Sequence, residues 1–298
     1  MKYELMTNTI SNYQVVFDAF LARRAEQTKR TYRQRIKLFF EWAVENKINS
    51  IHQIDHILVE KYIQYLESLN YSPNTLNATI APIKKFFDYL YTANLIQNNT
   101  VKLIRPYKID RRALKTSCPT KNDIKKILEC INLRTKIGKR DQLIITLLAN
   151  TGIRRSELRN IQLEDINENI IQINGKGQRK RIIIISKELK NKIKEYISEI
   201  KTYKTKFLIT SYKNNIPQLS ISSDSISRIL REYGTKANTK LTPHMLRVYY
   251  ATELYRKATD ISIIQRLMGH ESINQTQRYI ELLKDSKTGE KYILNNFL

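Results

Sequence analysis

Glycine is scarce in this chain of 298 residues. It has seven, none of them among the first hundred residues, where the only prolines are Pro73 and Pro82. Such a stretch has little material for tight turns and reads as helices. Cysteine is nearly absent. Cys118 and Cys130 make neither a disulfide framework nor a zinc site, so a reducing, cytoplasmic setting is expected. Histidine occurs only at positions 52, 56, 244 and 270. His52 and His56 have the spacing of metal ligands on a helix, but they fall in a short connecting segment with no third ligand, and no metal is expected there. No GxGxxG or Walker-type loop appears, and no Ser/His/Asp set. No run of about 18 apolar residues exists, which excludes a transmembrane helix. The opening MKYELMTNTISNYQ has no apolar signal core, so secretion is not expected. Internal repeats and low-complexity tracts are also missing.

Positive charge is abundant. Lys and Arg number 52 against 28 Asp and Glu, giving a formal charge of +24 and a pI near 9.9. Hydrophobic residues make up 41%, enough for a real core, and the length suits two domains. The charge is uneven. Residues 1–100 carry 12 basic and 9 acidic side chains, whereas residues 101–298 carry 40 and 19. A field of that strength repels itself unless a polyanion relieves it, which makes nucleic acid the leading partner. The plainer alternative is a solvated Lys-rich surface, with an Ile/Asn/Lys-rich composition set by nucleotide bias.

Periodicity predicts four or five helices in residues 1–100: one from Val15 to Leu21, one in TKRTYRQRIKLFFEWAVEN, one from Leu58 to Leu69, and one after Ser72, a predicted N-cap followed by Pro73. Residues 101–119 lack amphipathic periodicity and are basic, and they read as an interdomain linker. Residues 120–298 mix elements. Helices fit 120–132, 138–150 and 154–161. IIQI, NGKGQ and RIIIIS then read as a β-hairpin. A helix at 187–200, a short strand at FLIT and helices at 222–233, 243–256, 260–268 and 272–283 complete the domain. The expected fold is mainly α with a small β-sheet.

The candidates for chemistry are cationic residues beside glycines. Arg154 follows Thr151-Gly152-Ile153 at a helix start, where its fork suits phosphate oxygens; the alternative is an ordinary capped helix with Arg154 in solvent or paired with Glu157. Lys176 sits between Gly175 and Gly177 in the hairpin tip, within reach of a ligand or simply solvated. His244 and Arg247 share a helix face, and His270 follows Gly269 at a turn. Tyr279 stands nine residues later, one tyrosine among 18.

Taken in order, TGIRRSEL, GKGQRKR, HMLR, MGH and QRY are far more specific than any one of them. Their succession resembles the tyrosine recombinases, the phage-integrase family, over essentially the whole chain. The resemblance implies a helical, SAM-like core-binding domain at 1–100 and a mixed α/β catalytic domain at 120–298. It implies that Arg154 and Arg247 clamp a phosphate, that Lys176 is the hairpin lysine, and that His244 and His270 are the two active-site histidines. Tyr279 becomes the nucleophile and Glu157 a support of the arginine motif. The residue types suit the reaction: a phenol with a pKa of about 10 needs a base and a clamped phosphate. The implied activity is site-specific cleavage and rejoining of DNA through a 3′-phosphotyrosine, without cofactor or metal. The implied partners are double-stranded DNA with paired inverted-repeat core sites and three further copies of the chain, a homotetramer on two sites, with no membrane. The runner-up readings are a type IB topoisomerase, which shares nucleophile and clamp, and a non-catalytic DNA-binding relative.

One departure stands out. Many relatives carry a histidine after HMLR, where this chain has Val248. That speaks against the housekeeping Xer pair; the length of 298 residues leaves little room for an extra N-terminal arm-binding domain, so the layout suits a simple two-domain recombinase, Xer-like or carried by a mobile element. The apolar tail Tyr292, Ile293, Leu294, Phe297 and Leu298 is expected to dock on a neighbouring protomer or to pack on its own domain.

Overall fold

The structure is a computed structural model, and it describes residues 16–48, 50–109, 118–175, 180–203, 205–214, 216–257 and 260–269. Contacts divide the chain into two compact units, Met1–Ala113 and Leu114–Leu298.

The first unit is all helix. Residues 16–22 form α1, Glu26–Glu45 α2, His56–Ser68 α3 and Pro73–Thr92 α4. The caps follow the sequence. Asp55 accepts a hydrogen bond from the Leu58 N–H, and Ser72 accepts one from Thr75 with Pro73 in the first turn. The apolar spacing of α4 buries Leu76, Ile80, Ile83, Phe86, Phe87 and Leu90 together. Aromatic rings bind α2 to α3: Phe39 meets Tyr62 edge-on at 5.1 Å, and Trp42 lies 5.1 Å from the same ring.

The expected linker begins too early in the sequence reading. Thr100–Leu103 forms a 3-10 turn, and Val101 and Ile104 are buried in the first unit's core with Tyr107 against it. The Asn77 side chain donates to the Tyr107 carbonyl and accepts from its N–H, and the Tyr107 hydroxyl donates to Glu67 at 2.6 Å. Residues 101–107 therefore pack with the first unit. Their apolar positions recur every three residues, a 3-10 and extended spacing that a search for helical periodicity passes over. Residues 110–117 lie outside the described residues.

The second unit opens with α5 (Lys121–Glu129), α6 (Lys136–Thr151) and the single turn α7 (Arg155–Leu158). Strands β1 (Ile166–Asn167), β2 (Ile170–Asn174) and β3 (Lys180–Ile184) form an antiparallel sheet in that order. Helix α8 (Lys187–Ile200) precedes a two-stranded sheet of β4 (Thr210–Lys213) and β5 (Ile216–Ser220). Helices α9 (Ser223–Lys236), α10 (Pro243–Arg256) and α11 (Ile261–Met268) follow. Helix α6 is apolar nearly all round, with Leu143, Ile144, Ile145, Leu147 and Leu148 buried, as befits a central helix. Helix α11 is held differently. It rests on a small separate cluster of Ala251, Ile264 and Met268.

The fold is mainly helical with small antiparallel sheets, as expected. The details differ in three places. β1 and β5 were not foreseen, FLIT contributes only Thr210 to a strand, and the helix expected over 154–161 is a four-residue turn with Arg154 as its cap. The expected helix at 272–283 and the apolar tail lie outside the described residues. Among the described residues, no helix is long and apolar enough to cross a membrane.

Candidate active site

Arg154 is positioned by the end of α6. Gly152 terminates that helix in the left-handed region, at φ 59°. A Cβ there would lie 2.3 Å from Cδ1 of Tyr250 on α10, so glycine is required by both conformation and space. Ile153 is buried, and Arg154 emerges next as the cap of α7. With only four residues, α7 has little axial dipole to offer an anion. The charge comes from the guanidinium itself, whose side chain is 40% exposed. Its Nη1 donates to Glu157 Oε1 at 3.0 Å and its Nη2 to the Gly269 carbonyl at 3.0 Å. Pairing with Glu157, the commonplace alternative of the sequence reading, is thus present, together with a second contact 115 residues away in sequence.

Arg247 reaches the same place from α10, which packs against both α6 and α11. It is buried, and its guanidinium donates to the carbonyl oxygens of Gly152 and Met268. Gly269, at φ 61°, closes α11 with a turn that presents the Met268 and Gly269 carbonyls side by side to the two arginines. His244 stands three residues before Arg247 in the first turn of α10 and remains exposed. Desolvation by the protein around it, and after that the Arg247 cation, push its pKa below the ordinary imidazole value. A neutral ring near pH 7 is a competent proton acceptor.

Glu157 is the hub beneath these cations. Burial alone would raise its pKa, but the Arg181 fork, the Arg154 N–H and both positive charges outweigh it and hold the carboxyl at about 2. Arg181 Nη1 and Nη2 donate to Oε1 and Oε2 at 2.9 and 2.8 Å, and the Arg154 N–H donates to Oε2 at 2.8 Å. The carboxylate is therefore ionised at every physiological pH.

The structure brings Arg154, Glu157 and Arg247 together around the α11 turn, with His244 three residues from Arg247. Lys176, His270 and Tyr279 lie outside the described residues. Sequence reasoning missed Arg181. A signal was available: on β3 it shares a face with the buried Ile183, so a charge there points inward and needs a partner.

The comparisons bear on this cluster. Residues 119–286 match the model of the phage integrase family, and residues 16–94 match the phage integrase N-terminal SAM-like domain. The chain belongs to the phage integrase family. Among relatives, the tyrosine recombinase XerA of Pyrococcus furiosus is 35% identical over 222 residues, 74% of this chain and 73% of that protein. In fold, the family member resembles the XerH site-specific recombinase bound to its palindromic difH substrate. That match has a TM-score of 0.72 and 22% identity, and covers 90% of this chain and 79% of the other. A lambda integrase tetramer bound to a Holliday junction matches at a TM-score of 0.67 and 18% identity, over 91% and 76% of the two chains. This integrase-family chain is a tyrosine recombinase, an enzyme of site-specific recombination that cleaves and rejoins DNA.

Proposed function

We propose that this recombinase cuts DNA with Tyr279 and clamps the scissile phosphate between Arg154 and Arg247. The observation that carries the reading is the convergence of the two guanidinium groups on adjacent carbonyls, Met268 and Gly269, immediately before His270. Two forks aimed at one spot can neutralise charge building on the non-bridging oxygens, and loss of one such donor typically costs about 3–4 kcal/mol of barrier. The Tyr279 oxygen attacks phosphorus and its proton passes to His244. The bond to the 5′-oxygen breaks, and Lys176 supplies the proton that this oxygen needs. His270 donates to the phosphate, and Glu157 holds Arg154 in place. The product is a 3′-phosphotyrosine and a free 5′-hydroxyl. The ester keeps the energy of the original bond, so a second 5′-hydroxyl rejoins the strand by the reverse steps.

Exchange between two duplexes needs four cuts and each site makes one. The working assembly is therefore four protomers on two DNA sites with inverted-repeat cores, joined by cyclic contacts between copies. Both units take part in holding the duplex, in a cytoplasmic setting. The test is a nicked suicide substrate, on which the wild-type chain should become covalently attached to DNA. Tyr279→Phe should bind the same DNA and form no adduct on a denaturing gel. An adduct of normal yield with the Phe variant sinks the assignment of the nucleophile. Relaxation of supercoils without recombinant products would favour the topoisomerase reading.

A further inference from the structure

We infer that Arg181 is a positioning residue for the phosphate clamp: from β3 it fixes Glu157, which fixes Arg154, and it backs the Gly269 turn. The inference rests on the reading of Arg154 as one arm of that clamp. Three features of the geometry support it.

The Glu157 carboxylate is fully committed. Oε1 accepts from Arg181 Nη1 and Arg154 Nη1, while Oε2 accepts from Arg181 Nη2 and the Arg154 N–H. Four donors fill the acceptor sites of a carboxylate, so its orientation is determined from both sides. Arg154, the more exposed partner, cannot set that orientation alone, because its side chain is 40% exposed against 16% for Arg181. Arg181 is the anchored end.

The anchor is built into the sheet. Arg181 pairs with Ile173 across β2 and β3, and Ile173 is buried in the core. The grip on Glu157 spans 24 residues and ties the β2–β3 hairpin, one pair in from its connection, to α7. The same hairpin carries Lys176 in its connection, so one side chain links the lysine's scaffold to the arginine's.

The third contact is to the α11 turn. A Cβ on Gly269 would stand 3.1 Å from Arg181 Nη1 and 3.2 Å from its Cζ. The guanidinium therefore lies against the residue whose carbonyl Arg154 holds. A lysine would supply the charge but neither the parallel pair of N–H bonds nor the flat surface against Gly269.

The experiment is a double-mutant cycle on the full chain, read as the rate of covalent adduct formation on a nicked suicide substrate, with DNA affinity and melting temperature measured alongside. Arg181→Ala should slow cleavage roughly 10- to 100-fold while DNA affinity changes little. In an Arg154→Ala background the same substitution should cost less than roughly 3-fold, because the side chain it positions is gone. Arg181→Lys should fall between Ala and wild type, and it serves as the test if the Ala variant does not fold. A slow Arg154→Ala enzyme in which Arg181→Ala or Arg181→Lys costs the same factor as in wild type overturns the positioning role and leaves the clamp standing. An Arg154→Ala enzyme that cleaves at the wild-type rate overturns the clamp, and the positioning role with it.

Discussion

Among the described residues from 16 to 109 the buried side chains are almost all apolar, with Thr79 and Asn99 the exceptions. Between 118 and 269 the interior also holds Arg140, Asp141, Glu157 and Arg247. Burying ions is a costly way to stabilise a fold, and apolar side chains of equal volume often do as well or better. The first unit shows what cohesion alone requires: rings and aliphatic chains at helical spacing. The ions of the second unit serve arrangement. The two buried carboxylates among its described residues differ accordingly. Asp141 is pushed above the usual carboxylate range, since burial outweighs the Arg140 fork and the Tyr233 hydroxyl. Glu157, with four donors from two arginines, is pulled far below it.

The sharpest way to break this contrast is to empty the first core. Phe39 is fully buried among Phe40, Trp42 and Tyr62, and Phe39→Ala should destabilise the first unit by about 3–5 kcal/mol. Trp42 is the only tryptophan in the chain, so its fluorescence reports on this unit alone. A shift of the urea transition worth less than ~1 kcal/mol would show that the rings are not what holds the helices together.

The next effect belongs to the second unit and depends on pH. Glu157 has a folded-state pKa of about 2 against an ordinary value of 4.5. Its stabilisation is therefore complete above pH 4.5 and is lost as the pH falls through 2. The amount is on the order of 3 kcal/mol. Urea titrations followed by circular dichroism from pH 5 to pH 2 should show a steeper acid loss in wild type than in Glu157→Gln, while the Trp42 transition is the same in both. Identical acid limbs in the second unit would remove Glu157 from that role.

The backbone share of Gly152→Ala should be the smallest of these effects, about 2 kcal/mol from the left-handed conformation, to which displacement of the Tyr250 ring adds. Replacing Tyr250 by Ala in the same chain relieves the steric part and keeps the backbone part. Full recovery in the double variant, measured by thermal melting, would show that only space matters at this position.

Much of this was legible in the sequence where it obeys a local rule. Ser72-Pro73 opens α4, and Lys187–Ile200 repeats with a clean helical period. What escaped is decided by distant partners. Val101, Ile104 and Tyr107 keep a three-residue spacing that marks no amphipathic helix, and their burial depends on α3 and α4 being there to receive them. β5 carries Pro217 and leaves Leu219 exposed, so no alternation marks it. The site behaves in the same way. Motif order singled out Arg154, Glu157, His244 and Arg247, but Arg181 belongs to a different segment from the glutamate it holds. Nothing in the spacing announced that Arg154 and Arg247 would both donate to the carbonyls at the end of α11.

Those carbonyls have a thermodynamic consequence. Among the described residues, the α11 turn is held by the Arg154 and Arg247 N–H groups and by a small cluster of Ala251, Ile264 and Met268, with Tyr250, Leu254 and Tyr255 packed against it. An anion competing for the same N–H groups is thus linked to the attachment of the turn, and linkage is reciprocal. Whatever factor detaching the turn adds to the anion's affinity, a bound anion adds to the turn's tendency to detach. Capture of an anion between the two guanidinium groups and detachment of the Met268 and Gly269 carbonyls are therefore two readings of a single equilibrium.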